Sequence, residues 1–175
     1  MNTQPDPAAL KKRYKILVVE DEEDSKDVLV SLLNSVDKYE VSSASDGNDA
    51  LAKLEAETQK FDLVLLDIVM PKLDGIETLR LLKASPDKYG NPIVLMLTNL
   101  GGDVAIDTAI NIGAKGYLMK IETEPEQLLQ RVEEEFKKFE AGDSGAPAAA
   151  APAEGKIVQF PTPEKKEDDA MPKAA

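Results

Sequence analysis

The chain has 175 residues, 42% of them hydrophobic and 31% charged, with a net charge of −12. That is room for one domain with a full core and hardly for two, and so acidic a balance argues against a nucleic-acid surface, which needs clustered Lys and Arg. Cysteine and histidine are absent, which removes disulfides, thiolate or imidazole metal sites and histidine acid–base chemistry.

The N-terminal stretch "MNTQPDPAALKKRYK" has no apolar core for a signal peptide. No run approaches the ~18 apolar residues of a membrane helix. The expectation is a cytoplasmic protein that contacts neither membrane nor nucleic acid.

"KILVVE" (Lys15–Glu20) is continuous, β-branched and apolar, as a strand buried on both faces should be. "SKDVLVSLLNSV" follows, with Val28, Leu29, Leu32, Leu33 and Val36 predicted on one helical stripe. "YEVSSAS" reads as a weaker strand, and Asp46-Gly47 turns the chain into the helix "NDALAKLEAE". "FDLVLLD" is the next continuous apolar strand, and "GIETLRLLKAS" returns to helical spacing through Ile76, Leu79 and Leu82. Pro86 and "YGNP" break the chain before the strand "IVLMLT" (Ile93–Thr98). "GDVAIDTAINIGA" is helical and ends at Gly113, a C-cap candidate. "GYLMK" is a short strand. "EPEQLLQRVEEEFKKF" closes the series with Leu128, Leu129, Val132, Phe136 and Phe139 on one side, acids early and lysines late, as the helix dipole favours.

Five βα units in a row imply a parallel sheet covered by helices on both faces. After Phe139 the composition changes. "AGDSGAPAAAAPAEG" has the Ala, Pro and Gly content of a semi-extended linker, and "PTPEKKEDDAMPKAA" has no core-forming pattern. The organisation expected is a disordered leader over 1–13, one domain over 14–140 and a disordered tail over 141–175, with no further domain. Within that tail only "KIVQF" (Lys156–Phe160) is apolar, either incidental or a short docking motif.

In a doubly wound sheet, ligands gather outside the carboxyl ends of the strands. Here the first strand ends in Glu20 and Asp21, the third in Asp67, the fourth in Thr98 and the fifth in Lys120. Crowded carboxylates repel unless a cation joins them. With no softer ligands present, the cation is Mg²⁺, held by carboxylates and a phosphate oxygen. A carboxylate becomes a nucleophile toward phosphorus once the incoming charge is neutralised. Asp67 is therefore the expected acceptor, Lys120 and Mg²⁺ the neutralising charges, and Thr98 a hydrogen-bond donor to the phosphoryl group. Taken singly, each residue has an ordinary reading: Glu20 and Asp21 as helix caps, Thr98 as a strand end, Tyr117 as core. Their coincidence at strand ends makes the site. Pro71, Asp74 and Gly75 are read as shaping the loop after Asp67, with Asp74 capping the helix that starts at Gly75.

"ILVVEDEEDS", "LVLLDIVMPKLDGIETL", "IVLMLT" and "GAKGYLMK" resemble the receiver domain of bacterial two-component response regulators, over about Lys15 to Phe139. The resemblance implies a flavodoxin-like five-stranded sheet of order 2-1-3-4-5 with five helices, in a stand-alone regulator similar to those of chemotaxis. It implies Asp67 as phosphoacceptor, Asp21 as a direct metal ligand, Glu20 as a ligand through water, and the Val69 backbone carbonyl as the last protein ligand. Thr98 and Lys120 would contact the phosphoryl group, and Tyr117 would be the switch aromatic. The implied donor is a sensor histidine kinase or a histidine phosphotransfer protein. Output would pass by protein contacts through the fourth helix, fifth strand and fifth helix, with a homodimer as one form of those contacts. No enzymatic activity beyond self-directed phosphotransfer and autodephosphorylation is implied.

Two positions depart from the family pattern. Ile121 stands where a proline usually follows the lysine, so a trans bond and a repositioned loop are expected. Asn99 follows the threonine where Ala or Gly is commoner. An alternative, a haloacid-dehalogenase-type phosphohydrolase, needs a second Asp two residues after the nucleophile, and that position is Val69. A pseudo-receiver scaffold is the other alternative, disfavoured by the intact Asp21, Asp67, Thr98 and Lys120.

Overall fold

The computed structural model describes residues 13–99, 103–120 and 124–142. In chain order these form β1 (Tyr14–Val19), α1 (Glu23–Asn34), β2 (Tyr39–Ala44), α2 (Gly47–Ala56), β3 (Leu63–Asp67), α3 (Gly75–Ala84), α4 (Pro86–Tyr89), β4 (Ile93–Thr98), α5 (Asp103–Ile112), β5 (Gly116–Met119) and α6 (Pro125–Glu140). The leader through residue 12 and the tail from 143 lie outside the described residues.

All four strand pairings are parallel, in the order β2-β1-β3-β4-β5. The order follows from chemistry. β1, β3 and β4 are buried at every position, so they take the centre, while β2, with Glu40 exposed and Val41, Ser42 and Ser43 half-buried, stands at an edge. Side-chain alternation divides the core in two. Leu17, Val19, Val64, Leu66, Val94 and Met96 face one side, beneath Ala50 and Leu54 of α2, Leu79 and Leu82 of α3 and Ala109 of α5. Ile16, Val18, Leu63, Leu65, Leu95 and Leu97 face the other, beneath Leu33 of α1 and Leu128, Val132 and Phe136 of α6.

Local chemistry sets the helix ends. Asp46 accepts from Asp49 N–H and Asp74 from Glu77 N–H, the predicted cap at Asp74 among them. Gly113, at φ 122°, ends α5 in a conformation that L side chains rarely adopt. The single turn α4 brings the described helices to six rather than five: Pro86 breaks α3 but is itself a favoured first helical residue.

Two stripe assignments fail. Val28 is 64% exposed and Phe139 53% exposed. Each sits at the edge of an apolar arc. In α1 the core is met instead by Leu29, Val30, Leu32 and Leu33; helical spacing gives the face but not its width.

Candidate functional site

The chain turns from one direction of the sheet to the other between β1 and β3, and the carboxyl ends of these two strands carry acids. Glu20 follows β1, its N–H bonded to Ala44 O at 3.0 Å. Asp67 is the last residue of β3. Both are buried, 1% and 5% exposed, with Asp21 exposed beside them. Carboxylate oxygens from Glu20, Asp21 and Asp67 lie within 4.8 Å of one another. Neither Glu20 nor Asp21 caps α1; its N-cap is Glu22, without a side-chain bond.

β5 delivers the cation. Lys120 N–H continues the sheet to Thr98 O at 2.8 Å. Its ammonium donates to Asp67 Oδ2 at 2.7 Å and also pairs with Glu20 Oε2. Burial pushes the Lys120 ammonium down, but its bonds to Asp67 and Glu20 outweigh that and hold it above its ordinary value. Burial pushes the Glu20 carboxyl up, with the Asp67 charge adding to the rise and Lys120 opposing it. Ile121 lies outside the described residues; in this chain, which lacks the family's proline there, Lys120 reaches Asp67.

Thr98 ends β4 and is buried, and Asn99 beyond it is exposed. The register Met96↔Tyr117 and Thr98↔Met119 puts Thr98 and Tyr117 on one face of the sheet, where Tyr117 is half-buried against the core under α2, α3 and α5. Asp67 and Lys120 have the opposite parity.

The loop after Asp67 is built tightly. Val69 N–H donates to Asp67 Oδ1 at 3.3 Å, while its side chain is 73% exposed. Gly75 N–H bonds Ile68 O at 3.0 Å, and a Cβ at position 75 would stand 2.0 Å from Asp67 O. Only glycine lets α3 begin so close to the backbone of Asp67. Lys72 takes φ 67° and clasps Asp46 with an Nζ–Oδ2 distance of 2.5 Å, and that hydrogen bond is the main cause holding the Asp46 carboxyl below its ordinary range. The sequence reading missed this clasp and the Glu20–Lys120 pair, because both join residues distant in the chain. The glycine it did flag, without knowing that the close contact was with Asp67.

Three carboxylates against one ammonium leave two negative charges in a half-closed pocket. At an effective dielectric constant of ~20, two such charges ~5 Å apart repel by roughly 3 kcal/mol. A hard divalent cation resolves that excess with all-oxygen ligands, so the donor set fits Mg²⁺.

Residues 16–133 match the family model "Response regulator receiver domain". The chain is 38% identical over 147 residues to the alkaline phosphatase synthesis transcriptional regulatory protein PhoP of Bacillus subtilis, spanning 82% of this chain and 57% of that protein. It is 37% identical over 108 residues to the chemotaxis protein CheY of Treponema pallidum, spanning 61% of this chain and 72% of that protein. The first three curated relatives it matches are covered over 57%, 43% and 16% of their own lengths. A receiver domain protein of Methanospirillum hungatei superposes with a TM-score of 0.66 at 28% identity, covering 75% of this chain and 99% of that one.

Proposed function

The chain belongs to the response regulator receiver family, and from that premise we propose that Asp67 accepts a phosphoryl group from a phosphohistidine of a sensor kinase or phosphotransfer protein. The observation that carries this reading is the buried Asp67 carboxylate, bonded to Lys120 within a cluster of acids at the switch point of the sheet.

An Asp67 oxygen attacks phosphorus; the O–P bond forms as the P–N bond breaks, and the electron pair leaves on the donor's imidazole. Lys120, already 2.7 Å from Asp67 Oδ2, is positioned to follow the charge from the carboxylate to a phosphoryl oxygen. Thr98 supplies a hydroxyl from the neighbouring strand. Glu20, Asp21, Asp67 and the Val69 backbone carbonyl would hold Mg²⁺, which when bound neutralises charge on the phosphoryl oxygens. The acyl phosphate is lost by attack of water at phosphorus, which restores the Asp67 carboxylate and releases phosphate. The chain's catalysis is thus directed at itself, and the histidine it lacks is the donor's.

Output follows from packing. Movement of Thr98 toward the phosphoryl group vacates space on the face that Tyr117 shares, which turns a local electrostatic event into a rearrangement along α5, β5 and α6. That face is where a downstream protein, or a second copy, would bind. No helix among the described residues is long and apolar enough to cross a membrane, and a cytoplasmic setting suits a chain without cysteine.

Incubation with acetyl phosphate and Mg²⁺ tests the reading by mass. Wild type gains one phosphoryl group that persists after the donor is removed, and Asp67→Asn gains none. Equal labelling of the two, or steady release of phosphate without a phosphoprotein, would overturn it.

A further inference from the structure

Between Asp67 and α3 the chain buries Ile68 and Met70 and packs Leu73 against the same core, leaving Val69 and Lys72 exposed. Both ends of this loop are closed by glycines. At one end Gly75 stands against Asp67 O. At the other, Gly47 N–H donates to Leu73 O at 3.2 Å, and a Cβ at position 47 would meet Thr78 Oγ1 at 2.0 Å and Leu73 O at 2.7 Å. The start of α2 is therefore the wall on which the loop ends.

Lys72 is the odd residue of the loop. Among the described residues it is the one non-glycine at positive φ, 67°, a conformation that glycine adopts freely and an L side chain does not. A lysine there must gain something that glycine would lack, and the gain is its bond to Asp46. That carboxylate has a side chain only 7% exposed and uses both oxygens. Oδ1 accepts from Asp49 N–H at 3.0 Å as the cap of α2, and Oδ2 takes the Lys72 ammonium at 2.5 Å. A fully exposed ion pair contributes little, but here one partner is buried and held by the helix it caps. We propose that Lys72 is a positioning residue for the phosphoacceptor pocket: through Asp46 it fastens the loop to α2 and so fixes the Val69 carbonyl beside Asp67. The inference rests on the phosphoacceptor reading, in which that carbonyl is a Mg²⁺ ligand. Without the clasp, nothing offsets the strain at Lys72, and relaxation of its φ re-aims the peptides of the loop.

In the full chain without metal, Lys72→Met should open the Gly47 and Gly75 amides to hydrogen exchange by a larger factor than the Leu65 amide in the middle of β3, whose exchange follows global opening. Titration with Mg²⁺ alone, followed by the amide shifts of Asp67 and Val69, should show affinity about tenfold weaker, as for outer partners of metal ligands. Asp46→Asn keeps an acceptor for Asp49 N–H and should weaken binding equally, and the double variant no further, because the pair acts as one unit. Lys72→Gly keeps the turn without strain and should lose affinity as Lys72→Met does. Wild-type Mg²⁺ affinity in Lys72→Met or Lys72→Gly, additive losses in the double variant, or equal loss of protection at all three amides (a structural role alone) would each overturn the inference. A wild-type chain that binds no Mg²⁺ would instead overturn the phosphoacceptor reading, and the inference with it.

Discussion

Replacing Lys120 by methionine keeps most of the side-chain volume and removes the one ammonium that, among the described residues, is bonded to the acidic cluster. In the wild type that ammonium bonds Asp67 Oδ2 at 2.7 Å and pairs with Glu20, whose side chain is 1% exposed. Removing one partner of a buried ion pair typically costs ~3–5 kcal/mol, because a charge is left without compensation. Here two buried carboxylates are left, although exposed Asp21 and solvent at the pocket mouth moderate the cost, so we expect about 3 kcal/mol without metal. For a domain of this size that lowers Tm by roughly 10–15 °C.

The sign with pH follows from Glu20. Its folded carboxyl already titrates above the ordinary 4.5, so the folded state gains from its protonation below that value and loses as pH rises through the raised one. Lys120→Met raises it further. The destabilisation should therefore be full near neutral pH, shrink as pH falls toward about 4.5, and also shrink when Mg²⁺ is added at neutral pH. Chemical denaturation at the two pH values, with and without Mg²⁺, measures all three. Equal stability of variant and wild type at neutral pH, or a loss independent of pH, would refute the electrostatic account of the cluster.

Asp21→Ala should weaken Mg²⁺ binding and raise metal-free stability by about 1 kcal/mol, modest because Asp21 is exposed and screened; unchanged affinity in a Mg²⁺ titration would move the metal elsewhere. Gly75→Ala forces a Cβ to within 2.0 Å of Asp67 O, so we expect a loss of roughly 2–3 kcal/mol in urea unfolding and slower phosphorylation as the Asp67 backbone shifts. Burial pushes the Tyr14 and Tyr39 phenols up to about 12, Tyr14 with the further help of its bond to Glu140. The stability they contribute is present below the ordinary 10.0 and is lost as pH rises through about 12; in an absorbance titration, Tyr14→Phe and Tyr39→Phe should each remove a late-ionising phenolate. Thr98→Ala should abolish phosphorylation-dependent chemical-shift changes along α5, β5 and α6 while leaving mass labelling of Asp67 in place.

The strands and their burial were legible because each of β1, β3 and β4 is a continuous apolar run, and only a position covered on both faces can be apolar at every residue. The strand-end acids, Thr98 and Lys120 were legible for the complementary reason, since polar groups ending such runs stand out against them. What the sequence could not decide is whatever depends on distance across the fold. That Lys120 bonds Asp67 and Glu20 together, that Lys72 clasps Asp46, and that Gly75 stands against Asp67 O are contacts between separate elements. Helical spacing assigned Val28 and Phe139 to the core, because periodicity reports the direction of a side chain and not where the opposing surface stops. The width of a buried face is set by the neighbouring elements, and only tertiary packing brings them into place.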